Sequence, residues 1–351
     1  MSSSYFIADD LSGALDAAAA FHRAGHLVVI PLAVADWTTA VPDEITGLTT
    51  ETRNAQPDEA AAAVTAVIAR GRKFCARLVY KKIDATLRGP VAAELAAVLG
   101  ALPGTRLLFA PANPAVRRTV EDGVLLVHGR PVHETEFGRD PVSPVRESRL
   151  CGLLAGLPAG ALDIPDVTQA ADLENAITAQ SRRAGDWVAV GSGALARPVA
   201  ATLPTLNAPP SRALIPSPPP GPVLLLGGSA HAINRRQAAR LGASHAVPHH
   251  ELQPEEPIAA FVTAVASSLQ TRGAAIVLAP AERTESATVL DRLTAVATAA
   301  IAATGTARVF ATGGETARAL CAALGVRQLI FEAELEPGLA VARGAGTHGP
   351  L

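Results

Sequence analysis

The sequence predicts two α/β domains, each built on a mainly parallel sheet flanked by helices, with a ligand cleft between them. Three observations lead there. Short apolar runs alternate with longer helix-like stretches, the signature of parallel strands joined by crossover helices. A proline-rich stretch, 196–222, interrupts the alternation, which then resumes. A length of 351 residues exceeds one typical domain and suits two.

In chain order, Tyr5–Ala8 reads as a buried strand and Gly13–Ala24 as the helix after it. Leu27–Leu32 is the next strand. Thr50, Glu51, Thr52 and Arg53 lie in a loop before an alanine-rich helix. Val79–Ile83 is a strand feeding the helix Val91–Leu99, and Arg106–Ala110 follows as another strand. Gly123–Glu134 breaks the pattern: two short strand-like pieces around Gly129-Arg130-Pro131 predict an inserted hairpin. Trp187–Val190 returns to the main sheet. Beyond the prolines, strands Val223–Leu226, Ala275–Leu278 and Arg308–Ala311 alternate with helices His231–Leu241, Ala287–Ala303 and Glu315–Leu324. The expected domains are 1–205, a linker at 206–221, and 222–351.

Composition narrows the function. With 30 Lys+Arg against 32 Asp+Glu the net charge is −2, and no block of like charge stands out. That disfavours nucleic acid and anionic lipid as partners. Hydrophobic residues at 49% supply a sizeable core and exclude whole-chain disorder. Cys75, Cys151 and Cys321 are odd in number and far apart, so neither a disulfide framework nor a zinc ribbon is expected. The N-terminus has no basic region followed by a long apolar stretch, and no apolar run approaches the roughly 18 residues of a membrane span. The expectation is a soluble cytoplasmic protein acting on a small molecule, with a homo-oligomer compatible with the sequence.

The chemistry-bearing residues cluster at strand ends. Asp9, Asp10 and Ser12 follow the first strand, where open α/β sheets bind ligands. Either aspartate can face a ligand hydroxyl while the other caps the helix, or both simply cap it. Lys81, Lys82, Ile83, Asp84, Thr86 and Arg88 end another strand, a set suited to a carboxylate or phosphoryl oxygens. Arg53 adds a possible anion contact. The loop-rich stretch 109–148 carries Arg117, Arg118, His133, Glu134, Thr135, Arg139, Asp140 and Arg146, and its embedded hairpin argues for order. Gly227, Gly228 and Ser229 precede a helix, as do Gly313, Gly314, Glu315 and Thr316; both are phosphate-cradle candidates. Neither matches a Walker or dinucleotide fingerprint. Gly191-Ser192-Gly193 lacks the spacing of a hydrolase elbow. His245, His249 and His250 read as a surface loop rather than a metal site, and Trp37 and Trp187 as core or cleft residues.

Taken together, these segments resemble the four-carbon acid sugar kinase family. Residues 7–18, IADDLSGALDAA, look like its opening I-A-D-D-x-T-G-A-x-D, with Ser12 at the hydroxyl position. Residues 81–89, KKIDATLRG, are similar to K-K-x-D-S-T-L-R-G, with Ala85 replacing a serine. The stretch from Phe109 resembles the family's long P-A-x-P to D-P-x-x-P-V segment. ATGGETARAL at 311–320 and PGLAVARGAGTHG at 337–349 resemble its closing motifs, with Ala230-His231 replacing a usual Cys-Ser pair and Arg343 a lysine. The resemblance implies an N-terminal domain binding a four-carbon sugar acid, a C-terminal domain binding ATP, and γ-phosphoryl transfer between them with Mg²⁺ on the phosphates. It places Asp10, Arg53, Lys81, Lys82, Ile83 and Asp84 at the substrate. It places Ser229, Gly313, Gly314, Glu315, Thr316, Gly344 and Gly346 at ATP. No protein-held metal is expected. Lys82 and Arg88 then hold the carboxylate or the migrating phosphoryl group, and either Asp84 or Asp10 accepts the hydroxyl proton. Threonate, erythronate and the 2-oxo and 3-oxo tetronates are the expected substrates. A kinase for another small hydroxy acid and an inactive sugar-acid-binding relic are the alternatives.

Overall fold

A computed structural model describes residues 3–41, 43–204, 220–228, 232–253, 256–280 and 286–346. The expected linker, 206–221, falls almost entirely outside these residues, as does Ser229. The described residues form two compact units, one within 1–215 together with 328–342, the other within 216–327 together with 343–351.

In the first unit the elements run β1 (Ser4–Ala8), α1 (Leu11–Arg23), β2 (Leu27–Pro31), β3 (Glu44–Thr49), α2 (Pro57–Lys73), β4 (Arg77–Lys82), α3 (Val91–Ala101) and β5 (Arg106–Ala110). A small antiparallel ribbon follows, β6 (Arg118–Glu121), β7 (Val124–Val127) and β8 (Arg130–Pro131). Then come α4 (Leu150–Leu153), β9 (Leu162–Asp163), α5 (Ala170–Ser181), β10 (Trp187–Gly191) and α6 (Gly193–Ala201). The second unit holds β11 (Val223–Gly227), α7 (Ala232–His245), β12 (His249–Glu251), α8 (Ile258–Arg272), β13 (Ala274–Leu278), α9 (Ser286–Thr304), β14 (Arg308–Thr312) and α10 (Gly314–Ala323). A last hairpin, β15 (Val326–Glu336) and β16 (Leu339–Gly346), closes the chain's described part.

The larger sheet has the order β16-β15-β2-β3-β1-β4-β10-β5-β9. From β2 to β9 all neighbours are parallel, as buried apolar runs such as Phe6-Ile7-Ala8 and Leu107-Leu108-Phe109 demand. The second sheet, β12-β13-β11-β14, is parallel throughout. Leu224, Leu226, Val277, Val265, Leu293 and Val296 form its core.

Four differences from the sequence reading have physical causes. Residues 328–342 group with the first unit, because β15 pairs antiparallel with β2, Leu329 opposite Ile30, and buries Phe331 and Ala333. Helix α6 runs through Pro198 to Ala201, inside the proline-rich stretch 196–222 read as an interruption of regular structure. Its first turn is capped by Ser192, whose side chain accepts from Ala194 N at 3.2 Å. The inserted hairpin has a third strand, β6, joined to β7 across Asp122 and Gly123, both at positive φ, as two-residue hairpin turns require. His249 and His250 lie in β12 rather than a loop, with His250 Nε2 2.9 Å from Ser268 Oγ. Trp37 is a core residue, packed on Tyr5 and Phe74.

Candidate active site

β1 and β4 are neighbours, yet the chain leaves β1 towards β2 on one side and leaves β4 towards β5 on the other. The crevice between their carboxyl ends is the switch point, where open α/β sheets hold ligands. Asp9, Asp10, Lys82 and Asp84 all emerge there.

Asp10 has extended backbone, φ −153°, and its Oδ1 accepts from Gly13 N at 2.6 Å, capping α1. Arg53 bridges both aspartates. Its Nε and Nη2 donate to Asp9 at 2.9 and 3.2 Å, while Nη1 pairs with Asp10 Oδ2 at 2.5 Å. The fork on Asp9 fixes the guanidinium plane. Burial, the largest influence, raises the Asp10 carboxyl above the ordinary aspartate value; the Arg53 charge opposes it and Asp9 adds to it. The Arg53 loop is pinned by Thr52 N donating to Asp9 O at 2.9 Å and by Gly89, at φ +96°, whose missing Cβ leaves room for the Arg53 backbone.

Successive strand residues point to opposite faces, so Lys81 and Lys82 part company. Lys81 is fully buried, its Nζ 3.0 Å from Glu94 Oε2, while Glu94 Oε1 accepts from Thr52 Oγ1 at 2.5 Å. Placed this way, Lys81 stands behind the Arg53 loop, linked to it through Glu94 and Thr52. Lys82 turns towards the crevice, donating to Ile83 O at 3.1 Å and pairing with Asp16 Oδ2 at 3.5 Å. Asp16 also leans on the start of α6, where a Cβ on Gly193 would overlap its carboxylate. Ile83 contributes backbone only, its N donating to Gly191 O at 2.9 Å and its side chain buried.

Asp84 is buried, and both its oxygens are engaged. Arg88 Nε and Nη2 donate to it at 2.9 and 3.2 Å, and the Thr86 hydroxyl also donates. Burial alone would raise its pKa; the Arg88 hydrogen bonds and charge, then Arg53 and Thr86, override that and hold it well below the ordinary value. Arg88 also reaches Asp140 Oδ2 at 3.5 Å. Such a carboxylate orders the loop and is a weak proton acceptor. Asp84→Asn is therefore expected to cost about 2 kcal/mol of stability at neutral pH. Because the folded-state pKa is depressed, that advantage of the native chain is complete above the unfolded value of about 4 and fades as pH falls below it. Urea denaturation of both chains from pH 7 to 2.5 checks this; a pH-independent difference contradicts it.

Arg118 begins β6 with its guanidinium 5.6 Å from the Phe137 ring centroid, on which Arg88 also sits at 5.6 Å. Ser192, the rejected nucleophile, donates Oγ to Ala112 O at 2.6 Å and is fully buried. Asp16 and Glu94, which the sequence reading did not single out, and Arg118, which it named only within the stretch 109–148, stand beside the candidate residues.

In the second unit, Gly313 at φ +93° caps α10, leaving the amides of its first turn to face outward beyond β14. Gly228, just past the neighbouring strand β11, lies so close to Thr316 that a Cβ would overlap the Thr316 hydroxyl. The Thr312 hydroxyl is buried without a hydrogen-bond partner among the described residues. Gly314 and Glu315 open the helix, and Glu315 is exposed. Gly344 and Gly346 lie elsewhere, on β16: Gly346 packs on Gly325, at the opposite end of α10, a helix length of about 15 Å away. The structure does not bring Gly346 to the Gly313–Thr316 turn.

Comparison with known proteins also divides the chain in two, but it assigns residues 328–342 to the second family. A sugar-binding N-terminal domain family matches residues 4–192, and a nucleotide-binding C-terminal domain family matches 224–351. A D-threonate kinase of Bordetella bronchiseptica is 33% identical, with 95% of this chain and 88% of that protein aligned. A Salmonella typhimurium LT2 protein described as a tRNA synthase superposes with a TM-score of 0.78 over 99% of this chain and 94% of its own, at 20% identity, a likeness of fold. A domain of unknown function from Bordetella bronchiseptica, solved as a domain-swapped dimer with bound citrate, is 31% identical, with a TM-score of 0.50 over 99% of this chain and 92% of its own. With the domain pair matched in order, and a relative this similar over nearly its whole length, the chain belongs to the four-carbon acid sugar kinase family.

Proposed function

We propose that this chain is an ATP-dependent kinase that phosphorylates a hydroxyl of a four-carbon sugar acid, with D-threonate the first substrate to test. The observation that carries the reading is the switch-point crevice of the sugar-binding unit, where Arg53, Lys82 and Arg88 stand among Asp9, Asp10, Asp16 and Asp84. A polyhydroxy acid presents both hydroxyls for the carboxylates and an anion for the cations. The citrate carried by the Bordetella relative is a hydroxy acid of the same chemical class.

Of the two aspartates able to take the proton, Asp10 is the better base. Its carboxyl is raised, whereas Asp84 is depressed and saturated by Arg88 and Thr86. Asp10 accepts the hydroxyl proton while Arg53 keeps it oriented, and Lys82 offsets charge growing on the transferred group. Phosphoryl transfer needs such positioning and neutralisation more than covalent help. The amides after Gly313, the approach allowed by Gly228 and the spare Thr312 hydroxyl fit a phosphate chain. ATP held by the Gly313–Thr316 turn would supply the γ-phosphoryl group, and Mg²⁺ would add positive charge to its phosphates.

Gly313→Val places a β-branched side chain at φ +93° and is expected to raise the apparent KM for ATP roughly tenfold or more, with acid binding in calorimetry nearly unchanged. Equal loss of acid affinity would assign the turn to the fold. The proposal itself is tested by an ADP-release screen over D- and L-threonate, D- and L-erythronate and their oxo derivatives. Release with one or more acids supports it; ADP release with none of them refutes it.

A further inference from the structure

Of the five cations that converge on the sugar-binding unit's crevice and its supporting loops, four are committed to carboxylates. Arg53 holds Asp9 and Asp10, Lys81 holds Glu94, Lys82 holds Asp16, and Arg88 holds Asp84 and Asp140. The fifth, Arg118, is half-buried, and its guanidinium makes no hydrogen bond and no ion pair within 4 Å among the described residues. None of its nitrogens is fully shut off from solvent, so five donors without a protein partner are open to an incoming acceptor.

Its backbone is rigidly placed. Asn113 N donates to Arg118 O at 2.8 Å and Arg118 N to Asn113 O at 3.1 Å, closing the loop after β5, while Arg117 turns through φ +57°. Ser192 holds that same loop by Ala112 O. The side chain lies over Phe137, sharing the ring with Arg88, and feels the charges of Asp84, Arg88, Glu136 and Asp16. The guanidinium thus shares the Phe137 ring with Arg88 and has no protein acceptor among the described residues. Burial chiefly, and Arg88 with it, lowers its pKa from the ordinary arginine value, and an anion would relieve both costs.

We propose that Arg118 is the residue that binds the substrate's carboxylate, and so sets the preference for sugar acids over neutral sugars and polyols. The inference rests on the kinase reading of this crevice. A planar fork meeting a planar carboxylate gives two parallel charge-assisted hydrogen bonds, which a hydroxymethyl or amide group cannot reproduce. A phosphoryl oxygen is the other anion such a fork suits. The sugar-binding unit, however, holds Arg118, and the phosphate-cradle features lie in the other unit.

The test compares the native chain with Arg118→Gln and Arg118→Lys, using D-threonate, its primary amide and threitol, in two measurements. Calorimetry without nucleotide reads acid binding alone; ADP release reads turnover. In Arg118→Gln, acid affinity is expected to fall about 10²-fold or more and the kcat/KM ratio of acid over amide to collapse by a similar factor. Arg118→Lys, keeping charge without the fork, should recover only part of both. Unfolding midpoints of the three chains separate these losses from misfolding. Unchanged acid binding with a raised KM for ATP assigns Arg118 to the phosphoryl group and overturns the proposal. Equal loss for acid, amide and threitol also overturns it. If the native chain binds threonate but releases no ADP, the kinase reading fails while the calorimetric comparison still decides the role of Arg118.

Discussion

Asp10→Asn is expected to lower the turnover number by about 10² to 10⁴, the usual contribution of a positioned proton acceptor. The substitution keeps the size of the side chain and an oxygen to accept from Gly13 N, so α1 stays capped. What goes is the basic group. In the native chain, protonating Asp10 as pH falls removes the acceptor, so kcat/KM declines on the acid side. Because burial raises this carboxyl, the decline lies above the ordinary aspartate range of about 3.9. Asp10→Asn abolishes that limb. A near-normal turnover in Asp10→Asn, together with a large loss in Asp84→Asn, moves the proton acceptor to Asp84.

Glu94→Ala carries the largest expected effect on folding. It strands the ammonium of Lys81, a side chain with no solvent exposure, and removing one partner of such a pair costs about 3–5 kcal/mol. The double replacement Lys81→Met with Glu94→Leu removes both charges and is expected to restore most of that stability. It does not restore the acceptor for Thr52 Oγ1, the contact that sets the Arg53 loop against α3. KM for the acid therefore stays raised in the double variant after urea midpoints have recovered. If KM recovers with stability, Glu94 serves packing alone and Arg53 is positioned by its own aspartates.

The strand-end rule made the candidate crevice legible in the sequence: acidic and basic residues following buried apolar runs do converge at one place. What it could not decide was which face each side chain takes. Lys81 and Lys82 read alike as neighbouring cations, yet strand alternation sends Lys81 into a buried pair whose partner, Glu94, sits among alanines in a helix. Glu94 was legible only as a helix-former. Asp84 looked like a base because it ends a strand, and only the fork of Arg88, a contact between loop residues, shows its charge is locked. Arg118 stood among several arginines of one loop; Arg117 and Arg146 are exposed, and the ribbon geometry alone separates Arg118 from them.

At fold level, the parallel strands were legible where four or five consecutive apolar residues occur. Strand β3, with Glu44, Thr46 and Gly47, lacks such a run and escaped. The closing hairpin escaped for another reason. Glu332, Glu334 and Glu336 alternate with Phe331, Ala333 and Leu335 before Pro337 and Gly338, a period-two pattern just ahead of the stretch read for its resemblance, 337–349. Its pairing partner, β2, lies some 300 residues earlier in the chain, and no local signal predicts a pairing of that separation.

The central claim is that a hydroxyl of a four-carbon acid receives a phosphoryl group at this crevice. Phosphorus NMR of the native chain with ATP, Mg²⁺ and D-threonate tests it most directly. The account predicts a new phosphomonoester resonance growing at the same rate as ADP, both slowed together in Asp10→Asn. ADP accumulating with inorganic phosphate, and no ester with any tetronate, contradicts it.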